Sequence, residues 1–260
     1  MLAISPWSRG GWVDSQVYDH TSVIRFLEAR FGVAEPNISA WRRAVTGDLT
    51  AAFDFAGDRG QVTAGGGRRS CPLPYALEVE GTMAGDGRHY RLTLRNVGTA
   101  AAVLHVYDRL ALDRAPRRYT LGAGARLEDG WAVDADGAYD LWVLGPDGFH
   151  RRFRGNSALL EARPVRGDAG GIRVRLANRG EAAMEVELAS RMGDGWKTAV
   201  RLPGAGEVAL DCPHVSGWYD VEIAAPALPG FGRRMAGRVD GRRAGVADPR
   251  LSAATVLALG

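Results

Sequence analysis

The sequence predicts a mainly β protein: two tandem antiparallel β-sandwich domains preceded by a short α/β segment of one strand and two helices. Three observations predict it. Thirty-five of the 260 residues are glycine, against an average usage of about 7%, and many stand in Asn-x-Gly or Asp-Gly turns between short apolar runs. Beyond about residue 74 those runs alternate apolar and polar residues, the period of a half-buried strand, with no helical stretch between them to support a parallel sheet. Ordered blocks of sequence also recur at nearly one offset.

The first domain is predicted over residues 1–55. Leu2-Ala3-Ile4 is an apolar stub read as a strand, Ser5-Pro6 ends it, and a Gly-containing loop runs from Ser8 to Asp19. A helix follows, because Val23, Ile24, Leu27 and Phe31 recur at helical spacing with Arg25, Glu28 and Arg30 between them. Asp19 to Ser22 offer caps and Gly32 stops the run. A second helix is predicted from about Ser39 to Phe53, with Trp41, Val45, Leu49 and Phe53 on one face and Gly47 as a point of breakage. Residues 56–73, rich in Gly, Arg and Pro, read as a linker.

The repeats come next. Tyr90-Arg91-Leu92-Thr93-Leu94-Arg95-Asn96-Val97-Gly98 aligns with Ile172-Arg173-Val174-Arg175-Leu176-Ala177-Asn178-Arg179-Gly180 at an offset of 82. Gly137-Ala138-Tyr139-Asp140-Leu141 aligns with Gly217-Trp218-Tyr219-Asp220-Val221 at 80, and the block from Gly148 to Gly155 with that from Gly230 to Gly237 at 82. Three ordered blocks at nearly one offset imply a duplicated unit of about 80 residues, long enough for each copy to fold. The units are placed at residues 74–156 and 157–240, with 241–260 as a tail. Runs such as Leu77–Val79, Leu92–Leu94, Val103–Tyr107, Leu127–Val133 and Leu141–Leu144 have the spacing of sandwich strands.

Composition narrows the function classes. The net charge is +3, and Lys197 is the only lysine. The arginines stand in isolated pairs, without the dense basic stripe and interleaved aromatics of a nucleic-acid groove, so no nucleic-acid partner is expected and the pairs read as solvated sheet faces. Two cysteines, Cys71 and Cys212, make no disulfide framework or zinc-ligand spacing. No stretch approaches the roughly 20 apolar residues of a membrane helix, and Met1–Trp7 lack the features of a signal peptide.

The run from Ile4-Ser5-Pro6-Trp7-Ser8-Arg9-Gly10-Gly11 through Asp19-His20-Thr21-Ser22 to Asn37-Ile38-Ser39-Ala40-Trp41 and onward to Phe55 closely resembles the end of the phosphoesterase domain of bacterial phosphocholine-specific phospholipase C of the non-haemolytic type. The duplicated units resemble two copies of that family's C-terminal domain. The resemblance implies a remnant of an alkaline-phosphatase-like domain at 1–55 and a parent enzyme that hydrolyses phosphatidylcholine or sphingomyelin to release phosphocholine. It implies a divalent metal in the parent's catalytic domain, an exported parent, periplasmic or secreted, and partners in the form of an N-terminal catalytic region and a choline phospholipid or membrane surface. The family's nucleophile and metal-ligand motifs precede the part resembled, so the chain alone is expected to be catalytically silent. A free-standing tandem sandwich module that binds lipid surface, glycan or protein is the alternative.

Within this frame, Ser8, Arg9, Asp19 and His20 are the cleft candidates. They sit in a strand-loop-helix unit, and the loop leaves the carboxyl end of the strand, where ligands bind in open α/β sheets. His20 is read either as a proton donor or orienter or as a plain polar group beside an Asp19, Thr21 or Ser22 helix cap. Trp7, Trp12 and Tyr18 are candidate substrate-binding aromatics, since aromatic faces hold a quaternary ammonium, with packing between domains as the other reading. Asp14, Asp19, Glu28, Glu35, Asp48, Asp54 and His20 form no plausible closed ligand set, so no metal is assigned to this chain. Tyr139-Asp140 and Tyr219-Asp220 read as core residues with polar tips.

Overall fold

Short turns rich in Gly, Asn and Asp fold some alternating runs back beside their predecessors and carry others across to a facing sheet, and all the long strands pair antiparallel. The computed structural model describes residues 1–8, 11–56, 68–167, 171–193, 195–239 and 243–249. Helices α1 (Thr21–Phe31) and α2 (Ala40–Val45) and a 3-10 turn at Thr50–Ala52 come first, followed by β1 (Arg69–Ser70). The first repeat supplies β2 (Leu77–Met83), β3 (His89–Asn96), β4 (Ala102–Asp108), β5 (Arg117–Leu121), β6 (Arg126–Ala132), β7 (Tyr139–Leu144) and β8 (His150–Gly155). The second supplies β9 (Leu160–Arg166), β10 (Ile172–Asn178), β11 (Met184–Ser190), β12 (Lys197–Leu202), β13 (Glu207–Cys212), β14 (Trp218–Ala224) and β15 (Gly232–Arg238), and β16 (Gly245–Val246) follows.

The repeats arrange their strands alike. β2, β3 and β6 make one three-stranded antiparallel sheet, and β9, β10 and β13 make another. The other four strands of each repeat meet edge to edge through β8 and β15, giving one eight-stranded sheet in the order β12-β11-β14-β15-β8-β7-β4-β5. Each three-stranded sheet closes a core with its half of the long sheet. In the first repeat Val79, Leu92 and Leu94 meet Leu104, Leu141, Val143 and Phe153. In the second, Leu160, Val174 and Leu176 meet Val186, Leu188, Val221 and Met235.

The repeated Asn-x-Gly block has a structural cause. Asn96 is fully buried; its Nδ2 donates to the Ala100 and Leu121 carbonyls and its Oδ1 accepts from the Gly98 N–H. Asn178 repeats this with Ala182, Pro203 and Gly180. A buried amide that satisfies three backbone groups fixes the turn without leaving orphaned polar atoms. Gly98 is required there because a Cβ would collide with the Pro74 carbonyl.

The structure differs from the sequence expectation in three places. Leu2-Ala3-Ile4 is not a strand; Leu2 and Ile4 are exposed, because a lone strand has no neighbour to satisfy its backbone. The second helix stops at Val45. Thr46 is extended and the Gly47 N–H donates to the Val17 carbonyl, bringing the backbone so close that a Cβ on Gly47 would clash with Gln16 and Tyr18. Finally, Arg69–Ser70, within the expected linker, and Gly245–Val246, within the expected tail, pair as β1 and β16. Residues 57–67 of the linker and 241–242 and 250–260 of the tail lie outside the described residues.

Candidate functional site

The residues singled out in the first segment do not assemble into one cluster. Ser8 closes a local turn: its Oγ donates to the Ala3 carbonyl at 3.0 Å and accepts from the Ser5 N–H at 2.9 Å. Arg9 lies outside the described residues. The Asp19 carboxylate accepts from the Thr21 N–H and hydroxyl and pairs with Arg42 at 2.5 Å. Partial burial opposes ionisation, but hydrogen bonds from Thr21 and Arg42 outweigh it and hold the carboxyl below the usual range. Asp19 thus starts α1 and ties it to α2. His20 is exposed, and no hydrogen bond joins it to Asp19.

The three candidate aromatics find separate partners. Trp7 packs against Phe55 at 5.7 Å between ring centroids, and Trp12 lies beneath the Arg69 guanidinium at 5.5 Å. The Tyr18 hydroxyl donates to Asp14 at 2.6 Å; burial, reinforced by the Asp14 carboxylate, raises its pKa well above the ordinary phenol value. Among the described residues no three His, Cys, Asp or Glu side chains gather as a metal ligand set, so these residues do not fit the divalent metal that the resemblance implies.

What the segment does present is an apolar stripe. Val23, Ile24, Leu27 and Phe31 of α1 are all substantially exposed, Phe31 at 68%, although their spacing is that of a helix built to cover something. Glu28 and Arg43 brace α1 at the flank of this stripe through a bidentate pair at 2.8 Å. The segment is fastened to the end of the linker by Val13, which bonds to Arg69 and Cys71, and to the first repeat by Val17 N–H to the Tyr75 hydroxyl and by Trp41 Nε1 to Thr120 Oγ1 at 2.9 Å.

The densest polar assembly lies at the seam between repeats, and sequence reading missed it. β8 and β15 pair with Arg152 opposite Arg234, Arg151 opposite Met235 and Phe153 opposite Arg233. Exchanging the repeats reproduces the same pairs, so the seam has a pseudo-twofold axis at Arg152 and Arg234. Arg151 and Arg233 are 4% and 5% exposed, correcting the expectation of solvated faces. Arg151 donates to the Ala236 carbonyl and the Tyr219 hydroxyl of the other repeat, each at 2.8 Å. Arg233 donates in return to the Arg154 carbonyl at 2.6 Å and the Tyr139 hydroxyl at 2.8 Å. Phe149 and Phe231 stack on these guanidinium groups at 4.2 and 4.4 Å. On the opposite face Arg152 grips Asp140 and Arg234 grips Asp220 through paired bonds. Beside them, burial pushes His150 down to about 4, with the cationic Arg234, Arg151 and Arg152 adding to the effect. The signal was present in the sequence as Tyr-Asp and Arg-Arg pairs at equivalent repeat positions.

Above the seam a cleft of about 450 Å³ opens between the repeats. One wall is Leu77, Glu78, Val79 and Glu80 of β2, the other Pro164 and Val165 of β9, and Phe149, Arg151 and Tyr219 also line it.

Fold and site together define a β-rich chain of two similar units carrying a short helical segment with an uncovered face, with no assembled catalytic cluster among its described residues. Comparison with known proteins identifies which one. Residues 69–156 match the bacterial phospholipase C, C-terminal domain, and residues 1–34 match the phosphoesterase family. The chain is 40% identical to a non-hemolytic phospholipase C of Pseudomonas aeruginosa, over 98% of this chain and 44% of that protein. It is 35% identical to a non-hemolytic phospholipase C of Burkholderia pseudomallei, over 98% and 43%, and 32% identical to a hemolytic phospholipase C of P. aeruginosa, over 98% and 44%. The chain belongs to the bacterial phospholipase C family, and it spans less than half the length of these relatives.

Proposed function

We infer that this chain is the accessory C-terminal region of a phospholipase C that hydrolyses phosphatidylcholine or sphingomyelin and releases phosphocholine, and that it is catalytically silent alone. The observation that carries this is the exposed stripe of Val23, Ile24, Leu27 and Phe31, within the residues that match the phosphoesterase family. An amphipathic helix with nothing on its apolar face belongs to a larger layered domain. Here the covering layer is the body of a phosphoesterase domain, which also supplies the nucleophile and holds the divalent metal that balances charge on the transferred phosphoryl group. The second repeat, with the strand order and buried Asn latch of the first, is a second copy of the C-terminal domain. The export of the relatives' kind of enzyme to a periplasmic or extracellular lipid surface is part of the same proposal.

The test is release of phosphocholine from phosphatidylcholine and sphingomyelin vesicles by the pure 260-residue chain, with and without a co-expressed phosphoesterase region of a relative. The chain alone is expected to stay at background. Metal-dependent release by the chain alone, abolished in His20→Ala, would overturn the inference.

A further inference from the structure

The two walls of the inter-repeat cleft are sheet edges. β2 is the outer strand of β2-β3-β6 and β9 the outer strand of β9-β10-β13, and four consecutive β2 residues line the cleft, so β2 presents its edge there as well as a side-chain face. The phase of the ladder fixes which backbone groups point outward. Ala84 N–H donates to the His89 carbonyl and Val97 N–H to the Ala76 carbonyl. Given the register of Leu77 with Asn96, Glu78, Glu80 and Thr82 bond to β3, while the N–H and C=O groups of Leu77, Val79 and Gly81 face the open edge. By the same logic Arg179 N–H to the Leu159 carbonyl, with Ile172 opposite Arg166, turns Ala162 and Pro164 of β9 outward.

The equivalent edges differ in their backbone donors. β2 reads Leu-Glu-Val-Glu-Gly-Thr-Met and β9 reads Leu-Glu-Ala-Arg-Pro-Val-Arg, so Pro164 stands where the first repeat has Gly81. Proline removes an outward donor and blunts the β9 edge against pairing. The β2 edge keeps all its outward donors and acceptors. Along its solvent side stand two carboxylates, Glu78 and Glu80. Their partners Arg95 and Arg163, at 3.4 and 3.3 Å, are roughly half exposed, a class of pair worth little and easily exchanged. Facing the cleft interior are Phe149, Ile172 and Val239. The two cations that line the cleft are already spent, Arg151 on Ala236, Tyr219 and the His150 carbonyl and Arg238 on the Ser70 hydroxyl and the Arg243 carbonyl.

We propose that the β2 edge is a docking site for an extended polypeptide segment of alternating basic and small apolar residues, which adds as a strand beside β2. Its backbone pairs with Leu77, Val79 and Gly81, its basic side chains stand opposite Glu78 and Glu80, and its apolar side chains enter the cleft; main-chain bonds give affinity and alternate side chains give specificity. Oppositely charged cross-strand neighbours stabilise such an addition. The proposal stands independently of the enzymatic role inferred above.

Amide hydrogen exchange on the full chain tests it, with a capped peptide alternating arginine and valine as the probe. In the free protein the amides of Leu77, Val79 and Gly81 exchange faster than those of Glu78, Glu80 and Thr82. Saturating peptide slows the first set at least tenfold and leaves the second set unchanged. N-methylation of peptide residues on one alternate phase abolishes binding while the other phase is tolerated. Glu78→Gln with Glu80→Gln weakens binding by roughly threefold per residue, and Arg163→Ala, which removes the resident competitor for Glu80, strengthens it. No protection of Leu77, Val79 and Gly81 at millimolar peptide would overturn the proposal, as would binding indifferent to N-methylation phase or protection confined to Ala162 on β9.

Discussion

Replacing Arg151 with methionine should cost the whole β region about 2–4 kcal/mol. The methionine side chain keeps the apolar stem as far as the Nε position and removes the rest of the guanidinium with its charge and donors. Two charge-assisted bonds across the seam, to the Ala236 carbonyl and the Tyr219 hydroxyl, are lost at roughly 1.5–3 kcal/mol each. The stacking on Phe149 at 4.2 Å is lost as well, at about 2 kcal/mol for a desolvated pair. Against this, the variant recovers the desolvation penalty of a buried guanidinium, several kcal/mol after relaxation, which leaves the net figure above. A loss of that size lowers the melting temperature by roughly 4–16 °C in a protein of this length. The assay is urea unfolding of wild type, R151M, Y219F and the double variant, with tryptophan fluorescence and far-UV circular dichroism as separate probes. The cycle should return a coupling of about 1.5–3 kcal/mol between Arg151 and Tyr219, and both probes should report one transition in the wild type. Two separated wild-type transitions, or a coupling within about 0.3 kcal/mol of zero, which is the scatter expected of independent sites, would refute the idea that reciprocal arginines make the repeats one cooperative unit.

Deleting residues 1–55 should keep the β-type circular dichroism and a cooperative melt and should raise solubility, because it removes the exposed apolar face of α1; loss of both repeats in that deletion would show the segment to be part of their core. His150, held near pKa 4 chiefly by burial, takes up its proton more readily in the unfolded chain, where histidine titrates near 6.5. Its contribution is therefore present above pH 6.5 and fades as the pH falls toward 4. With partial exposure discounted this amounts to about 1–2 kcal/mol, and His150→Phe should flatten the acid side of the stability profile between those limits in pH-dependent urea melts.

Most of the strand pattern was legible because local chemistry wrote it. The alternation of Tyr90–Asn96 and Ile172–Asn178, the Asn-x-Gly turns and the common offset led directly to β3 and β10 and to two similar units. Tyr139 and Tyr219 were legible as core residues with polar tips, since each hydroxyl accepts from a buried arginine. The seam itself was not legible. Arg151 and Arg152 are adjacent in sequence and look alike, and only the pleat sends one into the core and the other to the outer face; which edge meets which is a non-local choice that periodicity does not encode. The same limit applies to Leu2–Ile4, whose apolar character predicts a strand although the chain offers it no neighbour, and to α2, whose period continues past the Gly47 packing that ends it. In the candidate cleft, Asp19 was legible as a helix-start residue, while its pairing with Arg42 required the tertiary fold.

The self-matching pairing of β8 with β15 has a consequence for any attempt to separate the two halves. A strand edge that fits its counterpart when the halves are exchanged also has much of what it needs to fit a copy of itself, as in an isologous dimer interface. Residues 69–156 produced alone would carry β8 as a bare edge, with Arg151 seeking a hydroxyl and a carbonyl on whatever pairs with it. That fragment should sediment as a twofold dimer, with Tyr139 of each copy accepting from Arg151 of the other. The tandem chain is in this sense a dimer written into one polypeptide, and its tether replaces a concentration-dependent encounter with a fixed local one.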